Sequence, residues 1–293
     1  MTHGALIDPA TNAIQTMMAR QGYARLSGAE TFAQLGVGVA EWHAFAASWN
    51  DLGPDLYMAD GGRYRRRRHA TFRYEAGDFI RQPHQPHYQS RDYNPLNGDV
   101  QRWFDPVEQA TIDSPVCRAI FAFCAAQFPM NGTAHVEMHQ FRIEARPGEV
   151  GRPTPEGLHR DGVDHVLVML VERRNVREGV TRIGAPDGTP LGEFMLADAG
   201  DAMLIDDRRI LHGVTEIHAV DDNQPACAGT RLFHFSSTSS SAMLGCSATV
   251  SSKSCLVSPA FTAMAAACKI SGASGPIMCS PTTRSVVAST IIL

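Results

Sequence analysis

The chain has 293 residues, 44% of them hydrophobic, so it is long enough to bury a sizeable core. Its 26 basic and 30 acidic residues give a formal net charge of -4, which excludes a global basic field for nucleic acid or an anionic membrane. No apolar run reaches the roughly 18 residues of a spanning helix, and the first residues lack a secretory signal pattern, so we predict a cytoplasmic protein without membrane or nucleic-acid partners.

The N-terminal part of the chain is predicted to be largely helical. The segments TNAIQTMMARQGYARL and VAEWHAFAASWNDL carry apolar residues at helical spacing. From Tyr64 the pattern becomes typical of a strand, prolines then indicate a loop up to about Gly98, and another helix is expected from about Pro115 to Gln127. We therefore assign residues 1–130 to a helical part.

Segments of strand character follow this helical part. They are HVEMHQFRIEA, DHVLVMLVERRNV, GVTRIGA, EFMLADAGDAMLIDD, LHGVTEIHAV and GTRLFHFS. Short strands broken by Gly, Pro and Asp, with no helical pattern among them, indicate an antiparallel sandwich or barrel. The predicted fold is mainly β with N-terminal helices, an α+β arrangement in which the helices cover a β-barrel at about 131–235.

The last part of the chain has a different composition. Residues 236–293 are rich in Ser, Ala and Thr, contain four of the seven cysteines and carry almost no charge. Such a segment has little to bury and no clear period. We predict a single domain at 1–235, followed by a disordered or loosely packed tail.

The segment GLHRDGVDHV places a metal-binding imidazole, His159, two residues before a carboxylate, Asp161. In an extended segment both side chains leave the same face, so they can reach one ion. The later segment GDAMLIDDRRILHGV supplies His212 as a third ligand. Two imidazoles and one carboxylate on one face of an octahedral ion form the facial triad of non-haem Fe(II) oxygenases. The three open positions can accept a chelating 2-oxo acid and O2.

A 2-oxoglutarate co-substrate also needs a cation for its distal carboxylate. Arg231, in AGTRLF, follows His212 by one hairpin, and its planar fork can bind a carboxylate in bidentate fashion. An HxD pair alone arises by chance in many proteins. The complete series of HxD, apolar strand, His and Arg is much harder to obtain by accident.

The chain also resembles a known family. The runs VEMHQFRIEA, TPEGLHRDGVDHVLVMLVERRNV and LADAGDAMLIDDRRILHGVTEI are similar to the bacterial Fe(II)/2-oxoglutarate dioxygenases that hydroxylate free aliphatic L-amino acids, the L-isoleucine 4-hydroxylase group. The resemblance covers about Gln15 to Arg231. It implies a double-stranded β-helix of the jelly-roll or cupin-like type, with iron held by His159, Asp161 and His212, and 2-oxoglutarate held by Arg231. It also implies O2 as oxidant, stimulation by ascorbate, and a substrate such as Ile, Leu or Met.

The sequence departs from that family after Arg231. A hydrophobic closing strand is expected there, but the chain reads LFHFSSTSSS. A shifted reading frame after Arg231 would produce such a change, and we state this as a hypothesis. A damaged last strand would weaken the sheet next to Arg231, even though the metal ligands are intact.

A free amino acid substrate needs a cation for its carboxylate and an anion for its ammonium group. Arg142, on the strand before the metal motif, and Glu156, three residues before His159, are the candidates. Both residues could instead form structural ion pairs.

Four consecutive arginines, Arg65 to Arg68, lie in the strand-like segment RYRRRRHATFRYE. A basic run between aromatics is a feature of nucleic-acid grooves. We favour a strand whose arginines alternate between solvent and salt bridges, because the chain has no second basic stretch of this density.

Two further histidine pairs lie outside the metal motif. His84 and His87 occupy a proline-bounded loop of the kind that can close over a pocket. No carboxylate or cysteine stands at matching spacing, so no second metal site is predicted there. His135 and His139 share one face of a strand and are expected to pack or to support the site.

Two other functions fit the same pattern. A cupin-like barrel could bind a metal or small molecule without turnover. Such a protein would not need Arg231 to bind 2-oxoglutarate. An oxygenase acting on nucleic acid or protein would show salt-sensitive binding if its target were DNA or RNA. We favour a dioxygenase that hydroxylates a free aliphatic L-amino acid.

Overall fold

The computed structural model describes residues 9–130 and 132–237, which contain five α-helices and thirteen strands. The helices are α1 Pro9–Gln21, α2 Gly28–Leu35, α3 Val39–Ala46, α4 Gln109–Ile112 and α5 Pro115–Gln127, with a 3-10 turn at Ala47–Trp49. The strands are β1 Tyr23–Leu26, β2 Arg65–Glu75, β3 Asp78–Arg81, β4 Asp105–Pro106, β5 Thr133–Ala145, β6 His165–Arg174, β7 Val176–Glu178, β8 Val180–Gly184, β9 Pro190–Met195, β10 Ala202–Asp206, β11 Leu211–Val214, β12 Ile217–Ala219 and β13 Ala226–Ser237.

The strands form one large and two small sheets. The large sheet has eight strands in the order β1-β10-β6-β13-β5-β2-β3, with β4 paired to β2. Its pairings are antiparallel except for that between β2 and β4. The small sheets are β11-β8-β9 and β12-β7. The described part of the chain is therefore mainly β, as predicted.

The last described strand lies in the middle of the large sheet. β13 pairs with β5 on one side and with β6 on the other, so that Phe233 lies opposite both Met138 and Leu167. Phe233 and Phe235 are buried. The segment that departs from the resembled family thus forms a paired strand with apolar side chains, up to Ser237.

One face of the large sheet packs against the helices. Met138 on β5 and Phe233 on β13 share a core cluster with Trp42 of α3 and Ile120 and Phe121 of α5. Complete burial of such a side chain stabilises the fold by about 1.5–3 kcal/mol relative to exposure. This apolar layer fixes the strands from which the functional site is built.

The opposite face of the large sheet carries a second core and the polar site. Phe141, Val168 and Leu170 pack there against Ile183 of β8 and Leu196, which follows β9. Side chains alternate between the faces of a strand. His139 and Glu137, two and four positions before Phe141, therefore lie on this second face.

Local sequence sets the ends of two helices. Ser27 caps α2 by accepting a hydrogen bond from the backbone N–H of Glu30, whose carboxylate accepts one from the Ser27 N–H in return. α2 then ends at Gly36, which has a φ of 62°. Ser114 caps α5 through the N–H of Cys117, directly before a proline in the first turn.

The N-terminal part contains more strand than the sequence indicated. The predicted first helix ends at Gln21, because Gly22 has a φ of +83°, and Tyr23–Leu26 pairs with β10 instead. β2 is an interior strand between β5 and β3. Residues 9–130 therefore contribute β1 to β4 as well as every helix of the described ranges.

The three sheets are distinct in the described residues, and closure into a double-stranded β-helix barrel stays a prediction. Most of the predicted tail, from residue 238 onward, lies outside the described residues. Within the described ranges, no helix combines the length and the apolar character needed to cross a membrane.

Candidate metal centre and active site

The structure brings the three predicted metal ligands together, and we call them the metal centre. His159 precedes β6 and His212 lies on β11, and their backbones exchange two hydrogen bonds of 3.0 Å each. Asp161 Oδ2 lies 3.1 Å from His212 Nε2, and its Oδ1 lies 3.7 Å from His159 Nε2. All three side chains are buried.

The orientation of His159 suits a metal ligand. Its Nδ1 lies 3.0 Å from the Gly157 carbonyl oxygen, which can only accept, so Nδ1 carries the ring proton. Its Nε2 is buried and has no hydrogen-bond partner among the residues that the structure describes. An unpartnered imidazole nitrogen facing a carboxylate and a second imidazole matches the donor set of a non-haem Fe(II) site. The residues present therefore fit ferrous iron.

A second aspartate holds the loop that carries Asp161. The carboxylate of Asp207 accepts hydrogen bonds from the backbone N–H groups of Asp161, Gly162 and Val163, at 2.9, 2.9 and 3.1 Å. Gly162 has a φ of +81°, a conformation that favours glycine. Sequence reasoning assigned no role to Asp207, although its position between β10 and the third ligand was a usable signal.

The charge of Asp161 is stabilised by its neighbours. Burial opposes ionisation, but the positive charge of His234 and the hydrogen bond with His212 outweigh it and hold the pKa of Asp161 well below its usual range. The Gln89 side chain also donates to Asp161, at 3.2 Å to the backbone oxygen and 3.4 Å to Oδ1. Asp161 is therefore an anion ready to bind a cation.

A small cavity of about 10 Å³ adjoins the metal centre. Asp161 and three buried arginines, Arg65, Arg67 and Arg102, are among the residues that line it. The cavity is thus about the size of one water molecule and has a strongly positive wall.

The structure places Glu156 beside the metal centre. Its side chain is 1% exposed, and its Oε1 lies 3.8 Å from His159 Nε2. Within the described part of the chain, neither carboxylate oxygen has a hydrogen-bond partner. The predicted ammonium partner is thus an unpaired buried carboxylate at the site.

Arg142, the predicted carboxylate partner, does not reach the site. Its guanidinium donates to Glu144 at 2.7 Å and to the backbone oxygens of Trp49 and Asn50 at 3.0 and 3.3 Å. It alternates along β5 with Phe141, which faces the cavity. Arg142 therefore has the structural role that was its alternative.

Arg231 lies on β13, where its backbone pairs with Gln140 on β5 and Met169 on β6. Its side chain lies outside the described residues, so its binding of 2-oxoglutarate stays a prediction.

The arginine run divides into two pairs. Arg66 and Arg68 form the expected salt bridges, with Glu144 at 2.7 Å and Glu108 at 3.1 Å. The expectation that the other two reach solvent is wrong, because β2 is an interior strand with both faces covered. Arg65 binds Asp55 at 2.7 Å, and Arg67 lies 3.8 Å and 4.2 Å from the ring centroids of Phe104 and Phe141.

A second buried cluster, which we call the glutamate hub, lies beside the cavity. Glu137 on β5 is its centre, and His87 Nδ1 lies 2.5 Å from Glu137 Oε2. His139, His135 and His69 approach its carboxylate to 3.2, 3.3 and 3.4 Å. No carboxylate stands at matching spacing beside His87 in the sequence, but the fold brings one to it from a strand fifty residues further along.

The hub has the donor types of a metal site but not the required proton positions. Arg67 Nη2 lies 2.8 Å from His139 Nδ1. A guanidinium can only donate, so Nδ1 accepts and Nε2 carries the proton that faces Glu137. Burial lowers the pKa of His87 to about 3, so this ring is neutral and donates to Glu137 as well. We therefore interpret the hub as a carboxylate that accepts hydrogen bonds.

The fold and the metal centre define a non-haem iron oxygenase, and the comparisons with known proteins identify the family. The model of the 2OG-Fe dioxygenase family matches residues 46–233, so the chain belongs to this family. The protein is therefore a 2-oxoglutarate-dependent dioxygenase that uses Fe(II), 2-oxoglutarate and O2.

Solved structures share this fold. A bsmA homologue from Methylobium petroleophilum is 33% identical, with a TM-score of 0.71 over 78% of this chain and 93% of that one. IDO from Bacillus thuringiensis is 17% identical, with a TM-score of 0.65 over 78% and 99% of the two chains. The Fe(II)/(alpha)ketoglutarate-dependent dioxygenase TqaL is 15% identical, with a TM-score of 0.59 over 78% and 90%. No curated protein matches the sequence.

Proposed function

We propose that the protein hydroxylates a free aliphatic L-amino acid of the size of Ile, Leu or Met. The observation that carries this proposal is the unpaired, buried carboxylate of Glu156, 3.8 Å from a nitrogen of the metal centre. A buried carboxylate without a partner is destabilising unless a cation reaches it, and the ammonium group of an amino acid is such a cation. The resemblance to the L-isoleucine 4-hydroxylase group supports the same substrate class.

Ferrous iron, when bound by His159, Asp161 and His212, would couple the oxidation of 2-oxoglutarate by O2 to hydroxylation of a C–H bond, giving succinate, CO2 and the hydroxylated product. The protein residues supply the geometry. Asp207 fixes the Asp161 loop, the Gly157 carbonyl fixes the His159 ring, and the small cavity limits how the substrate can lie.

We propose Arg231 as the ligand of the distal carboxylate of 2-oxoglutarate. The need of this distal carboxylate for a cation with a planar fork supports this role. An Arg231→Lys variant would keep the charge and lose the planar fork. We expect a higher KM for 2-oxoglutarate in that variant, with the KM for the amino acid unchanged.

The test of the proposed function is succinate release from purified protein with Fe(II), ascorbate and 2-oxoglutarate, with and without a panel of free L-amino acids. We expect Ile, Leu or Met to stimulate release, and the Asp161→Ala variant to show none. If iron and 2-oxoglutarate bind but no amino acid stimulates turnover, the proposed substrate class is wrong.

A further inference from the structure

Arg102 is a buried arginine in the loop between β3 and β4, and its side chain lines the cavity beside Asp161. It is 2% exposed and is one of the largest fully buried side chains of the described residues. Its Nε has no hydrogen-bond partner, and within the described ranges no carboxylate oxygen lies within ion-pair distance of its guanidinium. A buried charge without a counter-ion indicates that a ligand supplies one.

The other buried arginines near the site have partners. Arg65 binds Asp55 at 2.7 Å, and Arg67 lies 3.9 Å from the same carboxylate. Burial and the charge of Arg65 lower the pKa of Arg102 to about 10, so it is still a cation at neutral pH. Among these three arginines, Arg102 is the one that lacks an anion.

The surroundings of Arg102 connect it to the metal centre. Its backbone exchanges two hydrogen bonds with His87, at 3.0 and 2.9 Å, which fixes the loop. Its Nη2 donates to Gln89 Oε1 at 2.9 Å, and the amide nitrogen of Gln89 donates to Asp161. A single side chain therefore links Arg102 to a metal ligand.

Glu156 provides the opposite charge at the same site. Its Oε1 lies 3.8 Å from His159 Nε2, and the same nitrogen lies 3.7 Å from Asp161, which lines the cavity with Arg102. The site thus has a buried anion and a buried cation, and among the described residues neither forms a hydrogen-bonded ion pair. A zwitterion satisfies both.

We propose that Arg102 binds the α-carboxylate of the amino acid while Glu156 binds its ammonium group. This assignment rests on the proposed function and gives Arg102 the role that sequence analysis gave to Arg142. The distal carboxylate of 2-oxoglutarate has the same chemistry as the α-carboxylate, so the experiment must separate the two ligands.

The experiment is anaerobic calorimetric titration of the full-length, Fe(II)-loaded protein with L-isoleucine, with L-isoleucinamide and with 2-oxoglutarate. The amide keeps the ammonium group and the side chain but loses the carboxylate charge. Loss of a charge-assisted hydrogen bond weakens binding by about 10- to 100-fold. We expect wild-type protein to prefer the acid over the amide by this factor, and Arg102→Met to lose the preference while keeping its affinity for 2-oxoglutarate.

Arg91→Met is the matched control. Arg91 lies in the same loop, its side chain is 69% exposed, and its ion partner is Asp99 at 3.7 Å. We expect this variant to bind all three ligands like wild type. Arg102→Lys, which keeps the charge but not the fork, should show an intermediate preference.

The outcomes separate the two proposals. If wild-type protein binds L-isoleucine and its amide equally, or if Arg102→Met loses affinity for 2-oxoglutarate instead, the assignment of Arg102 is overturned and the proposed function stands. If wild-type protein binds 2-oxoglutarate but none of the amino acids, both proposals are overturned. The wild-type comparison of acid and amide decides the question even if Arg102→Met does not fold.

Discussion

The metal centre and the glutamate hub are both built from histidines and a carboxylate, but they differ in which ring nitrogen of the histidine carries the proton. In the metal centre, His159 Nδ1 donates to a carbonyl, which leaves Nε2 free for a metal. In the hub, Arg67 faces His139 Nδ1, which places the proton on Nε2. Each imidazole has a second hydrogen bond, on the nitrogen that faces away from the carboxylate. This bond therefore decides whether the cluster can bind a metal or whether its carboxylate only accepts hydrogen bonds from the rings.

The largest effect that tests this difference is loss of the metal. Asp161→Ala removes the carboxylate between the two imidazoles, so Fe(II) binding and succinate release should fall to background. Wild-type protein should bind one ion per chain in an anaerobic Fe(II) titration, and Glu137→Gln should leave this stoichiometry unchanged. Two ions in wild-type protein, reduced to one by Glu137→Gln, would show that the hub also binds metal.

Removal of the hub carboxylate should affect stability more than metal binding. Glu137→Ala leaves the ring N–H of His87 buried without its acceptor, and the free energy of unfolding should fall by about 1–3 kcal/mol. Urea unfolding measures this change. Glu75→Ala is the control, because Glu75 forms an exposed pair with Arg73 at 3.0 Å, which should contribute no more than about 1 kcal/mol.

Loss of the support beneath the metal centre should weaken it without removing it. Asp207→Ala deletes the acceptor of three backbone N–H groups in the Asp161 loop, and iron affinity should fall about 10- to 100-fold. Asp206→Ala is the neighbouring control, since its carboxylate interacts with Arg208 instead. Equal iron affinities in the two variants would contradict this role of Asp207.

The effect that is smallest per pH unit is the pH dependence of stability. Burial lowers the pKa of His87 to about 3, so between pH 3 and the unfolded value of 6.5 the unfolded state binds more protons. Stability should therefore fall as the pH drops from 6.5, by at most about 1.4 kcal/mol per pH unit for this group. Urea unfolding at several pH values should show a flatter acid limb for His87→Gln. An unchanged slope would mean that His87 is not neutral in the folded protein.

The metal centre could be predicted because its signal is local. His159 and Asp161 are two residues apart on an extended segment, and Glu156 is three residues before them, so short spacing already places them together. The third ligand follows a strand that pairs directly with the strand after the HxD motif. The mainly β fold was predictable from the same run of short strands.

The hub and Arg102 could not be predicted because they depend on long-range pairing. His69 meets His139 through the register of β2 against β5, and His87 arrives from a loop. β5 is buried on both faces over most of its length, and its alternation of apolar and polar residues changes phase between Met138 and Phe141. The face of β5 on which the Arg142 side chain lies could therefore not be predicted from the pattern of apolar and polar residues.

The central position of β13 has a consequence for how the chain folds. β5 and β6 are the long neighbours of this strand, and they come some eighty and fifty residues earlier in the sequence. Until Ala226–Ser237 has been synthesised and inserted, each of them presents an unpaired edge. Such edges are templates for strands of other chains. Assembly of the large sheet is thus a late step, and interrupted chains should aggregate.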